Sequence, residues 1–256
     1  MEVKIVATNK DQVMKIYTSE DGFHIPSIAM RALNHTAFQV KNALVEEMSK
    51  TFDRPTPFTM NALLVQNATI NNLSARVVFR SFTSGLQSRQ EHYLGVQVYG
   101  GERKLKSFES ALRQAGVLPD GLYAVPGQRA PKDAYGNISS GFIIQIISYF
   151  QASRFIGARA NTTAEGKAKL AEGTKKKRGV AYFVVKETGG RGLKTGIYRQ
   201  TAFGLGKKGG AVWSTEPMIM FVKKPNYRQL LKWDDVAERV VNQNWEANLK
   251  EAGMER

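Results

Sequence analysis

The chain has 256 residues, 42% hydrophobic and 23% charged, the balance of an ordinary globular protein. It contains no cysteine, which excludes disulfides, thiolate metal sites and cysteine nucleophiles. Its 37 Lys and Arg against 22 Asp and Glu leave a formal net charge of +15, and no apolar run reaches the ~18 residues of a membrane span.

Met1-Glu2-Val3-Lys4-Ile5 lacks the basic-then-apolar layout of a signal peptide, so action in a cytoplasm, or in a particle assembled there, is the expectation. Residues 3–7 read as a short strand, followed by a loop with Asp21-Gly22 as its turn. Pro26 suits a first helical turn. Leu33, Ala37, Val40, Leu44 and Met48 then share one helical face. Two prolines in Asp53-Arg54-Pro55-Thr56-Pro57 forbid continuation. Ala62–Thr69 and Ala75–Ser81 form a hairpin about Asn71-Asn72, and alternation of Leu94, Val96 and Val98 predicts a third strand over Tyr93–Tyr99.

Lys106–Ala115 is predicted as a short helix ended by Gly116, and Ser139–Phe155 as a longer one with Phe142, Ile143, Ile146, Ile147 and Phe150 on its apolar face. Pro126-Gly127 and Tyr135-Gly136-Asn137 mark turns. Residues 151–210 carry 14 basic against 3 acidic side chains, whereas residues 1–150 carry 16 against 12 and residues 211–256 carry 7 against 7. Residues 157–179 hold few large apolar side chains and are expected to be an exposed basic loop. Strands follow at Val180–Val185, Gly196–Gln200 and Ala211–Val222, with a second Gly/Lys loop at 204–210. Asp234 or Asp235 caps a final helix to about Ala252. The pattern implies one α+β domain over 1–256, a mixed or antiparallel β-sheet packed by two or three helices, with long projecting loops.

Catalytic chemistry is thin. His24, His35 and His92 show no metal-ligand spacing. A metal-dependent nuclease would need carboxylates to converge, with Asp53, Glu91 and Asp133 as the candidates. Gly189-Gly190-Arg191-Gly192 and the 204–210 stretch lack the Gly-Lys-Ser/Thr ending of a phosphate-binding loop and read as hairpin tips. Their cations could still meet a nucleic-acid backbone, which asks only for charge and reach. Candidate contacts to nucleic acid or a partner are therefore Lys175, Lys176, Lys177, Arg178, Arg191, Lys194, Lys207 and Lys208. The plainer alternative is a solvated basic surface. No catalytic, cofactor or metal residue is assigned.

Three stretches carry a resemblance. They are the long helix running into Phe52-Asp53-Arg54-Pro55-Thr56-Pro57-Phe58-Thr59; Ala124-Val125-Pro126-Gly127 with Asp133-Ala134-Tyr135-Gly136-Asn137 and the Ile143–Phe150 helix; and Gly196-Ile197-Tyr198-Arg199 with Ile219-Met220-Phe221-Val222, Tyr227 and the terminal helix. This layout resembles phage minor tail proteins of the Z-type tail-completion and neck kind, over most of residues 24–250. The chain departs from the pattern by an extra middle region of loops and helix. The resemblance implies a structural virion protein at the head–tail junction, with no enzyme activity and no cofactor. It would be a homo-oligomeric ring of six or twelve copies around the DNA channel. Its partners would be other phage neck or tail proteins and, non-specifically, packaged DNA, with no membrane. Asp53, Arg54, Pro55 and Phe58 would then be inter-subunit contacts. A sequence-independent DNA- or RNA-binding protein is the alternative reading, and a metal-dependent nuclease a further one.

Overall fold

The computed structural model describes residues 2–6, 25–80, 89–153, 161–174, 177–187, 192–205, 211–224 and 226–254. The fold is α+β, as the sequence pattern implies, and every strand pairing described is antiparallel. Where one domain is expected, the chain divides into two compact units: Met1–Arg103 with Asn226–Arg256, and Lys104–Pro225. The second unit is an insertion in the first. One apolar periodicity flows into the next with no low-complexity linker, so the sequence does not mark the boundary.

In the first unit, β1 (Glu2–Val6), β2 (Leu63–Gln66) and β3 (Ser74–Phe79) form a sheet in the order β1-β3-β2. The long helix α1 (Ile25–Thr51) spans about 40 Å at 1.5 Å per residue. The predicted stripe Leu33, Ala37, Val40, Leu44 and Met48 is wholly buried, and it shares a core with Val77 and Phe79 of β3. A short turn of helix, α2 (Pro57–Met60), follows the corner after α1.

Residues 93–99 correct the sequence reading: they belong to a helix, α3 (Arg89–Tyr99), not a strand. Leu94 and Val98 are four apart and both buried, a spacing that fits a helical face as well as the period-two alternation. The left-handed φ of Gly100 (+72°) then turns the chain into β4 (Gly101–Glu102), which pairs with β9 (Asn226–Tyr227). A Cβ at Gly100 would stand 3.1 Å from the Tyr227 carbonyl oxygen. This small ribbon joins the point where the chain leaves the first unit to the point where it returns. The last helix, α7 (Trp233–Met254), packs along α1. Trp233 stacks on Phe79 with ring centroids 5.2 Å apart. The buried Asn248 amide donates to Thr36 Oγ1 (2.9 Å) and Gln39 Oε1 (2.8 Å), fixing the register of the two helices.

The second unit is a four-stranded sheet, β5 (Leu122–Pro126), β6 (Val180–Val185), β7 (Gly196–Leu205) and β8 (Ala211–Lys223), ordered β5-β8-β7-β6. β5 is absent from the sequence reading, where Pro126-Gly127 is only a turn. A bulge separates Ile197↔Ile219 from Tyr198↔Pro217, which lets β8 continue past its proline. Helices α4 (Ser107–Gln114) and α5 (Ser140–Tyr149) bury Leu112, Phe142 and Ile146 with Tyr182, Ile197, Ile219 and Phe221 of the sheet. α5 is shorter than expected, because the chain turns at Gln151, whose φ is +56°. The predicted turn at Asp133 is present: its carboxylate accepts the N–H of Tyr135 and of Asn137, each at 2.9 Å.

The expected loop over 157–179 also needs correction. It contains a helix, α6 (Ala164–Glu172), capped by Thr163 Oγ1, which accepts the Gly166 N–H at 3.1 Å. Alanine, glutamate and lysine make a good helix with little to bury, so apolar periodicity misses it. Leu170 is its one large apolar residue and packs on the core of the unit.

Two substitutions test these cores. Leu44→Ala should lower unfolding free energy by about 3 kcal/mol in a denaturant titration. Glu109→Ala should cost about 2 kcal/mol or more by the same measurement. The buried Glu109 carboxylate accepts the N–H of Lys106 (2.7 Å) and of Ala124 (2.8 Å), and both donors would lose it.

Candidate interaction surface

The basic cluster at the start of β6 is built by a tight turn. Gly173 ends α6 with φ +75° and bridges to Arg178. Between them the Thr174 N–H donates to the Lys177 carbonyl (2.7 Å), and the Lys177 N–H donates back to the Thr174 carbonyl (3.2 Å) and hydroxyl (3.0 Å). Lys177 and Arg178 are exposed on this turn. Lys175 and Lys176, between the paired residues, lie outside the described residues, as do Arg191, Lys207 and Lys208. Gly179 follows, and a Cβ there would lie only 1.8 Å from the Ala171 carbonyl oxygen. The end of α6 and the start of β6 are therefore in backbone contact that only glycine permits.

Lys194 is exposed but does not join this cluster. It precedes Gly196, which pairs with Val185, whereas Arg178 precedes Gly179, whose carbonyl accepts the Ala202 N–H at 3.1 Å. The two cations thus flank opposite ends of the β6–β7 ladder, about 20 Å apart at ~3.3 Å per residue. By connectivity, the ends Leu205 and Ala211 that carry the 206–210 segment lie at the Arg178 end. Among the described candidates, Lys177 and Arg178 therefore do not share a patch with Lys194.

Sequence reading missed the further cations of α6. Lys169 is exposed, and Lys167 places Nζ 5.1 Å from the Tyr149 ring centroid. Tyr149 in turn meets Tyr182 edge-on at 5.1 Å. Burial raises the Tyr182 pKa, the nearby Arg199 guanidinium opposes that rise, and Tyr149 adds to it. Arg199 itself pairs with Glu216 across β7 and β8 (Nη2 to Oε2, 2.5 Å), and Arg129 approaches the same carboxylate at 3.8 Å. Those two arginines are committed to an acidic partner, a signal that only the strand register reveals.

The corner after α1 is a second exposed feature. Asp53 and Arg54 are exposed and pair with each other at 3.2 Å, with Arg54 at φ +46°. Pro55 is half-buried. Thr56 Oγ1 accepts the Thr59 N–H (3.1 Å), and the Thr59 hydroxyl meets the Tyr93 hydroxyl at 2.9 Å. Phe58, at 46% exposure, stands on this fixed turn. A hydrogen-bonded turn thus presents a charged pair and an aromatic ring to solvent.

Among the described residues no group of three or more His, Asp or Glu is placed to hold a metal ion. Of the nuclease candidates, Asp53 engages Arg54, Asp133 is consumed by its own turn, and the Glu91 side chain lies outside the described residues. His35 lies 3.8 Å from Glu251 on the surface of the first unit, His24 is outside the described residues, and so is the His92 side chain. Among the described residues no helix is long and apolar enough to cross a membrane. Comparison with known protein families, with curated proteins and with solved structures finds no match.

Replacing Lys177 and Lys194 together by serine should change unfolding free energy by less than ~0.5 kcal/mol, since both are exposed and neither fills a core. If the basic ends meet nucleic acid, the same variant should weaken retention of duplex DNA and flatten its salt dependence in a filter-binding titration.

Proposed function

We propose that this chain is a structural protein acting by docking, and specifically a tail-completion or neck component of a tailed phage particle. The observation that carries the reading is the corner at 53–59. The segment most like the phage family, Phe52–Thr59, is held by caps and hydrogen bonds while Arg54 and Phe58 are offered to solvent. A rigid frame with an exposed aromatic is what a packing contact between subunits needs, because little ordering entropy is lost on binding. Assembly as a ring at the head–tail junction, in contact with other neck or tail proteins, belongs to the same proposal. The chain then works without a cofactor or catalytic step.

The second reading, sequence-independent binding of DNA or RNA, is favoured by the charge of residues 151–210. The two readings are compatible if the basic ends face a DNA channel, where contacts must be weak and blind to sequence so that the genome can slide.

Mass spectrometry of density-purified phage particles should find the chain at a fixed copy number that survives a high-salt wash. Its absence from particles, or its loss with the nucleic acid at high salt, would contradict the reading.

A further inference from the structure

The sheet of the second unit has two faces, and the core of that unit uses one of them. Directly opposed residues of antiparallel strands share a face. The pairs Tyr182↔Arg199 and Val184↔Ile197 therefore lie on one side, and Tyr182, Val184 and Ile197 belong to or pack on the core with α4 and α5. The residues between them point the other way. Phe183↔Tyr198, Gln200↔Thr215 and Ala202↔Trp213 thus mark the second face across β6, β7 and β8. None of these six joins a hydrophobic core among the described residues, and none carries a charge.

This second face presents aromatic rings on a rigid base. Trp213 is 42% exposed. Phe183 is half-buried and stacks on Tyr198, with ring centroids 5.5 Å apart and planes 19° from parallel. Tyr198 is itself buried, and its hydroxyl donates to the Lys194 carbonyl at 2.9 Å, so it backs the Phe183 ring. Phe183 and Trp213 are about 16 Å apart, at ~3.3 Å per residue and ~4.8 Å per strand. The amide of Gln200 and the exposed hydroxyl of Thr215 lie between them. Exposed cations stand at both ends of the face. Lys177 and Arg178 lead into Gly179, whose carbonyl ties it to the Ala202–Trp213 row. Lys186 and Lys194 flank the far end, where Val185 pairs with Gly196.

We infer, on the footing of the nucleic-acid reading, that this face binds single-stranded nucleic acid, with unpaired bases stacked on Trp213 and Phe183 and phosphates drawn to the cations at its two ends. Charge selects a polyanion: residues 151–210 carry 14 basic against 3 acidic side chains. Chemistry selects a single strand. In a duplex the flat faces of the bases are hidden in the stack, whereas an unpaired base can lie on an aromatic ring. Glu172 and Glu187 adjoin the two basic ends and weaken the field there. Stacking therefore supplies a share of the affinity that the cations alone do not. Uncharged side chains between the rings leave the face indifferent to base identity, as a sequence-blind contact requires.

The test compares two probes of equal charge on the full chain: an oligothymidylate of about fifteen nucleotides and an abasic phosphodiester of the same length. Fluorescence titration should show the oligothymidylate bound about tenfold or more tighter, with quenching of tryptophan emission. Trp213→Ala should weaken oligothymidylate about tenfold and leave the abasic chain unaffected, with the unfolding midpoint retained because the side chain is exposed. Trp213→Phe should keep most of the affinity and lose most of the quenching, since Trp233 is buried in the first unit. Equal affinity for the two probes, or full oligothymidylate affinity in Trp213→Ala, would overturn the stacking face and leave the nucleic-acid reading in place. Binding of neither probe at low salt would overturn both.

Discussion

The packing of α1 against α7 is the contact on which the rest of the molecule depends. It joins Thr36 to Asn248, 212 positions apart, through a buried amide, and it completes the core that α1 begins. The first unit cannot close until the chain has made the whole second unit and returned. Such a long-range closure is costly in chain entropy and is expected to form late. The ribbon of Gly101–Glu102 with Asn226–Tyr227 eases it by holding the two crossings together.

Several buried polar groups, Glu109, Asn248 and Thr36 among them, are occupied in hydrogen bonds that fasten the chain. The exposed features on which the proposed docking role rests are the aromatic corner at 53–59 and the cations at the two ends of the β6–β7 ladder.

Much of this was legible in the sequence. The stripe from Leu33 to Met48, the hairpin from Leu63 to Phe79, the strands after Gly179 and the final helix follow from apolar period and from turn residues. The misses have physical causes. Leu94 and Val98 satisfy a helix face as well as a strand face, so α3 was read by the wrong period. α6 is fixed by its Thr163 cap and its composition while burying little, which hides it from any search for apolar stripes. β5 ends in a proline, tolerated because that residue lies on an outer edge. As for the sites, the exposure of Lys177, Arg178 and Lys194 could be anticipated, but their separation to opposite ends could not. Strand register decides it, and register is a property of the paired strands rather than of either one.

The central claim, that the chain is a part of a phage particle and works by docking, is tested most directly by removing it. Electron microscopy of lysates from a phage genome with this reading frame interrupted should show incomplete particles, with heads and tails that fail to join, restored by supplying the chain in trans. Normal numbers of complete, infectious particles without the chain would contradict the account.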